Sequence, residues 1–230
     1  MTKDLLKNLV LYTLQSMSLI DNTITFVKEK LRDAEAGHDW FHTERVYKNA
    51  LLIASHEECD LTVVKLGALL HDIADSKFND GDETIGPKMA RTFLESQNAP
   101  EETIVHVVNI IENISFKGGN FEKKFTSKEL EIVQDADRLD ALGAIGIART
   151  FHYGGFKNRT IFDPQIAPKF NMSKEEYKNS EAPTLNHFYE KLLLLKNKMN
   201  TETGKKLAKE RHQFMERFLS QFYAEWDGEV

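Results

Sequence analysis

The stretch Thr62-Val63-Val64-Lys65-Leu66-Gly67-Ala68-Leu69-Leu70-His71-Asp72 decides how this chain is read. Apolar side chains fall on nearly every side of a helix drawn through it (Val63, Val64, Leu66, Ala68, Leu69 and Leu70), so the helix belongs in a core. A histidine and an aspartate end this run of hydrocarbon. Adjacent side chains on a helix diverge by about 100°, which still lets the pair grip one ion. Buried polar groups need partners, and metal coordination would satisfy both.

Working outward, most of the chain repeats its apolar residues every 3.6 positions. One helix starts at the N-cap Asp21 and carries Ile24, Val27 and Leu31. A second spans 40–56, with Val46, Ala50, Ile53 and Ala54 facing inward. After 62–72 come helices over 87–97 and 101–113, then a long one over 126–153 with Thr126 and Glu129 as a capping box. Between 154 and 183 the period breaks around Pro164, Pro168 and Pro183, with one short helix opened by Ser173 and Glu176. Helices over 184–199 and 201–226 close the chain, and the short Asn200-Thr201 turn folds them into an antiparallel hairpin.

Five prolines and twelve glycines punctuate 230 residues, and no alternating strand run, internal repeat or composition break appears. The expectation is a single all-α domain over 1–230: a core over about 21–153, an ordered flap over about 154–183 and the hairpin over about 184–226. Hydrophobic residues make up 41% and charged residues 29%, ordinary for a soluble globular chain. The one cysteine, Cys59, excludes an intramolecular disulfide and a CxxC metal knuckle. No apolar run approaches the roughly 20 residues that span a bilayer, and the polar N-terminus does not read as a signal peptide. A cytoplasmic protein is expected. The net charge of −6 offers no global field for nucleic acid or an anionic membrane, so neither is expected as a partner. Oligomeric state leaves no mark.

Further candidate ligands sit where helices let them converge. His42 lies in the first turn of the 40–56 helix, on a face with Val46, Asn49 and Ile53. Asp137 belongs to Asp135-Ala136-Asp137-Arg138-Leu139-Asp140-Ala141-Leu142-Gly143-Ala144, where Asp135 and Asp140 are alternatives. Ala141, Ala144 and Ala148 lie close to the Asp137 face, and Gly143 and Gly146 keep this helix slim beside a ligand.

Gly37-His38-Asp39-Trp40-Phe41-His42-Thr43-Glu44-Arg45-Val46, Leu70-His71-Asp72-Ile73 and Asp135-Ala136-Asp137-Arg138-Leu139-Asp140 together resemble the HD superfamily of metal-dependent phosphohydrolases. That family binds metal through H…HD…D, which falls here on His42, His71, Asp72 and Asp137. The resemblance covers at least 21–153. His187-Phe188-Tyr189-Glu190-Lys191-Leu192, Lys198-Met199-Asn200-Thr201 and Arg211-His212 are similar to a bacterial subgroup, some of whose members cleave nucleoside triphosphates to monophosphate and pyrophosphate.

Two imidazoles and two carboxylates suit a divalent transition ion (Mn, Fe, Co, Ni or Zn), with Mg also admissible. Bound to this set, it would leave about two positions for water and a phosphate oxygen. The resemblance gives Asp75, three residues after Asp72, the role of orienting the attacking water as general base or acid. Binuclear relatives recruit extra histidines between the HD pair and the last Asp. Only His106 lies in that interval, so one metal is expected. Lys77, Lys191 and Lys198 are candidate phosphate contacts, the last two seven apart on one expected helical face, and His38 is a further substrate contact.

Other residues invite plainer readings. His56, His106 and His212 are expected on solvated faces. Phe151, Tyr153, Phe156, Phe162 and Phe170 are expected to pack, with one or two near Gly154-Gly155 lining a nucleobase pocket. The leading functional reading is hydrolysis of a phosphorylated small molecule, most of all a nucleoside triphosphate. The same site would serve a phosphomonoesterase or a cyclic-nucleotide phosphodiesterase, and a nucleotide sensor without turnover is the non-enzymatic alternative.

Overall fold

A computed structural model of the chain describes residues 18–34, 37–74, 82, 84–114, 125–173, 176 and 180–230. Asp75 and Lys77 lie outside the described residues. Among the described residues every regular element is helical, and none is long and apolar enough to cross a membrane. Two compact units form. Of the described residues, the first holds those up to 114 and those from 125 to 133, and the second those from 134 to 230. The boundary falls inside a helix and not in a linker.

In the first unit α1 covers 18–30, α2 Trp40–Ala54, α3 Leu61–Leu70, α4 Ile85–Ser96 and α5 Glu101–Asn113. The hydrocarbon of α3 is what centres it: Val63, Val64, Leu66, Ala68, Leu69 and Leu70 are all buried, and α3 packs on both α2 and α5. Asp60 caps α3 by accepting from the N–H groups of Thr62 and Val63 at 2.8 and 3.2 Å. Its own N–H is taken by Glu129 Oε1 at 2.9 Å. α4 packs on α5, and Phe93 of α4 stacks on Phe26 of α1 with centroids 4.1 Å apart.

The second unit contains the end of α6 (Lys128–Asp140), α7 (Gly143–Phe156), α8 (Asn186–Glu190), a 3₁₀ helix over Leu192–Lys198 and the 25-residue α9 (Glu202–Trp226). α9 packs on α7 and on the 3₁₀ helix. Phe151, Phe188 and Phe218 meet with centroids 5.8–6.0 Å apart, and Phe162 lies edge-on to Tyr223 and Trp226 at 5.4 and 4.9 Å. Phe151 and Phe162 thus pack, as expected, Phe151 against the buried Phe188. Phe156 and Phe170 stay exposed. Within the flap, backbone bonds from Thr184 to Thr160 and from Leu185 to Ile161 fix the chain, and Ser173 and Glu176 exchange the two bonds of a capping box.

Three local readings are corrected. The helix expected over 126–153 is two helices, because Leu142 is extended and Gly143 takes φ +70°. A side chain there would be strained, and its Cβ would press on Arg211 Cγ at 3.1 Å. Ser127, not Thr126, caps α6: its Oγ accepts from Leu130 N–H at 3.1 Å, while Glu129 is committed to Asp60. The helix expected over 184–199 breaks at Lys191, where φ −141° and ψ −57° leave the helical region. The 3₁₀ segment that follows turns every three residues, so the seven-residue alignment of Lys191 with Lys198 does not hold.

Candidate metal centre

α2 begins with Asp39, whose carboxylate accepts the N–H of His42 at 2.9 Å. This N-cap locks the first turn and so fixes the His42 side chain. α3 delivers the other two groups. His71 stands at its C-cap with helical backbone, and Asp72 follows in the turn over 71–74. His42 and His71 are buried, and Asp72 is half-buried.

The ligand atoms of His42, His71 and Asp72 all lie within 4.8 Å of one another. His71 Nδ1 is 2.9 Å from the Ala68 carbonyl, an acceptor only, so that nitrogen carries the proton. His71 Nε2 therefore turns a lone pair toward His42 Nε2 at 3.3 Å. Asp72 Oδ2 lies 4.0 Å from His42 Nε2. Three atoms able to ligate a metal, two imidazole nitrogens and a carboxylate oxygen, converge at one place. Two imidazoles and a carboxylate so arranged suit a divalent cation.

His38, the expected substrate contact, places Nδ1 2.5 Å from Asp72 Oδ2. Burial alone would raise the Asp72 carboxyl, but that hydrogen bond and the charges of His38, His71 and His42 outweigh it and hold the group at about 2. Asp72 is thus an anion throughout the neutral range. A partner of this kind orients a ligand and fixes its charge.

Asp137 lies half-buried in the last turns of α6, in the second unit. Its neighbour Asp135 is fully buried. Lys191 and Lys198 are exposed, on either side of the 3₁₀ turn. His106 of α5, expected on a solvated face, is half-buried and drawn to Ser127 Oγ at 2.9 Å and Glu129 Oε2 at 3.3 Å at the start of α6. His212 is also no surface residue: it is buried, accepting from Lys196 Nζ at 3.0 Å. Sequence reasoning missed Asp39 as the cap of His42, although an Asp three residues before a ligand at a helix start is a readable signal. It also missed the buried role of Asp135, for which the sequence carries no local sign.

The HD domain family matches residues 40–142, a stretch that contains His42, His71, Asp72 and Asp137. The Bacillus subtilis protein YpgQ is 37% identical over 207 residues, covering 89% of this chain and 92% of that one. This chain belongs to the HD superfamily of metal-dependent phosphohydrolases. The crystal structure of an HD-superfamily hydrolase from Bacillus thuringiensis matches this HD protein with TM-score 0.73 and 44% identity, over 92% of this chain and 98% of that one. YpgQ crystallised in complex with ADP matches with TM-score 0.73 and 33% identity, over 92% and 96%.

Proposed function

We propose that this HD hydrolase cleaves a nucleoside triphosphate to the monophosphate and pyrophosphate. The convergence of His42 Nε2, His71 Nε2 and the Asp72 carboxylate carries the reading, because it supplies a cation site at the place where the family does its chemistry. His42, His71 and Asp72, with Asp137 as the fourth group of the family pattern, would hold one divalent ion. The chemistry available with such an ion bound is activation of water and neutralisation of charge at phosphorus. His38 acts through Asp72, keeping it ionised and turned toward the two imidazoles. Asp75, three residues on, takes the proton of the attacking water.

Lys77, Lys191 and Lys198 supply the positive charge that a polyphosphate needs and that a chain of net charge −6 cannot offer globally. The crystallisation of YpgQ with ADP supports a nucleotide as ligand over a generic phosphate ester. The test is a panel of nucleoside tri-, di- and monophosphates and cyclic nucleotides incubated with Mn²⁺, with pyrophosphate and orthophosphate resolved among the products. Pyrophosphate from a triphosphate is the expected outcome. Orthophosphate alone, or turnover confined to cyclic nucleotides or monoesters, would overturn it, and binding with no turnover would make the protein a sensor.

A further inference from the structure

Asp135 sits two residues before Asp137 on α6, with no exposed surface, and its carboxylate is surrounded by donors. Asn200 N–H lies 2.9 and 3.0 Å from its two oxygens, and Asn200 Nδ2 donates at 3.1 Å. Thr201 donates twice to Oδ2, from N–H and from Oγ1, each at 2.8 Å. Arg138 Nη1 adds a longer contact at 3.4 Å and donates to the Lys198 carbonyl at 2.6 Å. Thr201 Oγ1 in turn accepts Gly204 N–H at 2.9 Å and so caps α9. Gly204 is a residue of close approach, since a Cβ there would run into Asp135 Oδ2.

The partners of Asp135 and Arg138 are largely backbone groups: the carbonyl of Lys198 and the N–H groups of Asn200 and Thr201. Those groups are set by the path of the chain and not by side-chain identity. The clamp therefore specifies where the chain passes between the 3₁₀ helix and α9. Lys198 is the last residue of the 3₁₀ helix and lies at one end of the clamped stretch.

We propose that Asp135 is a positioning residue for substrate: it holds the 198–201 segment so that Lys198 is presented to the phosphates at a fixed place. This rests on the reading of Lys198 as a polyphosphate contact. α6 keeps its own helical hydrogen bonds without the Asp135 carboxylate, so metal retention by Asp137 does not depend on the clamp. Asp135 acts through Lys198 and touches no reacting atom.

Asp135→Asn keeps the shape but replaces one acceptor oxygen with a donor facing other donors. Gly204→Ala presses on the same carboxylate from α9 without changing its charge, and serves where Asp135→Asn fails to fold. For either variant we expect bound Mn²⁺ within about twofold of wild type and faster amide exchange at Asn200 and Thr201. KM for a nucleoside triphosphate should rise by about tenfold, the scale of one charge-assisted contact, while kcat/KM for p-nitrophenyl phosphate stays within about twofold. Lys198→Ala should raise the triphosphate KM alike, and the Asp135→Asn/Lys198→Ala double variant should add little to either single change. Unchanged triphosphate KM with faster exchange, or equal losses on both substrates, would overturn the positioning role. A failure of the underlying reading looks different: Lys198→Ala at wild-type KM while Asp135→Asn alone raises it.

Discussion

Where α2 and the end of α3 meet, two imidazole nitrogens and a carboxylate lie within 4.8 Å of one another, and His38 shares a proton with the carboxylate. In the middle of α6, the Asp135 carboxylate is buried just as deeply as His42 or more so, yet five donor groups surround it. Both places bury ionisable side chains carried by helices. The difference is in their complement. A closed set of donors around an acceptor is a finished scaffold, while acceptors that converge on one another leave a cation to be added. Burial of charge alone therefore does not mark a ligand site. The sign of the groups facing it does.

The largest effect that sharpens this contrast belongs to Asp75. If the α3 cluster holds the ion and Asp75 handles water, Asp75→Asn should keep its metal and its helical content while losing about 10²–10⁴-fold in turnover. Single-turnover kinetics with elemental analysis of the same sample would check both halves, and wild-type turnover would remove Asp75 from the chemistry. Next comes stability in chelated protein. Asp135→Ala strands several buried donors and should cost about 3–5 kcal/mol. His42→Leu removes an imidazole whose ring nitrogen faces two other ligand atoms, His71 Nε2 and Asp72 Oδ2, and should change stability by less than about 1 kcal/mol. Urea denaturation in excess EDTA decides it, and a large loss in His42→Leu would mean the cluster is scaffold after all.

Lys191→Ala should be milder. Losing one charge-assisted contact to phosphate costs about 1.5–3 kcal/mol, or about a 10- to 150-fold fall in kcat/KM for a nucleoside triphosphate, with little change for p-nitrophenyl phosphate. The last is a pH dependence in the second unit. Desolvation, then the charges of Lys191 and Arg159, lower His187 from its ordinary 6.5 to about 3. The unfolded chain takes up that proton first, so the contribution is complete above about pH 6.5 and is lost as pH falls toward 3. Urea midpoints measured across this window should fall less steeply for His187→Gln than for wild type. Parallel curves would contradict it.

How much of this was legible before the structure follows from the range over which each feature is determined. α3 and its terminal His-Asp pair could be read because burial on every side is written in consecutive residues. α5 was readable at both ends, with Pro100 setting its start. The break at Gly143 was not, because in Ala141-Leu142-Gly143-Ala144 a glycine reads as a small helical residue until Arg211, far along the chain, closes over it. The 3₁₀ turn after Lys191 was equally hidden, since four consecutive leucines over 192–195 fit more than one period. Asp135 looked like a spare copy of Asp137. Only the return of the chain at Asn200 and Thr201 gives it a separate task.

The central claim is that His42, His71 and Asp72 form a cation site. Its most direct test is the metal content of His71→Ala, determined by elemental analysis after loading with Mn²⁺ and gel filtration, beside the wild-type protein. Losing an outer partner of a ligand already weakens metal binding by about 10–100-fold, and losing a ligand should exceed that. The account predicts about one ion per wild-type chain and less than about a tenth of that in the variant, with the fold intact by circular dichroism. Full occupancy in a folded His71→Ala would contradict it.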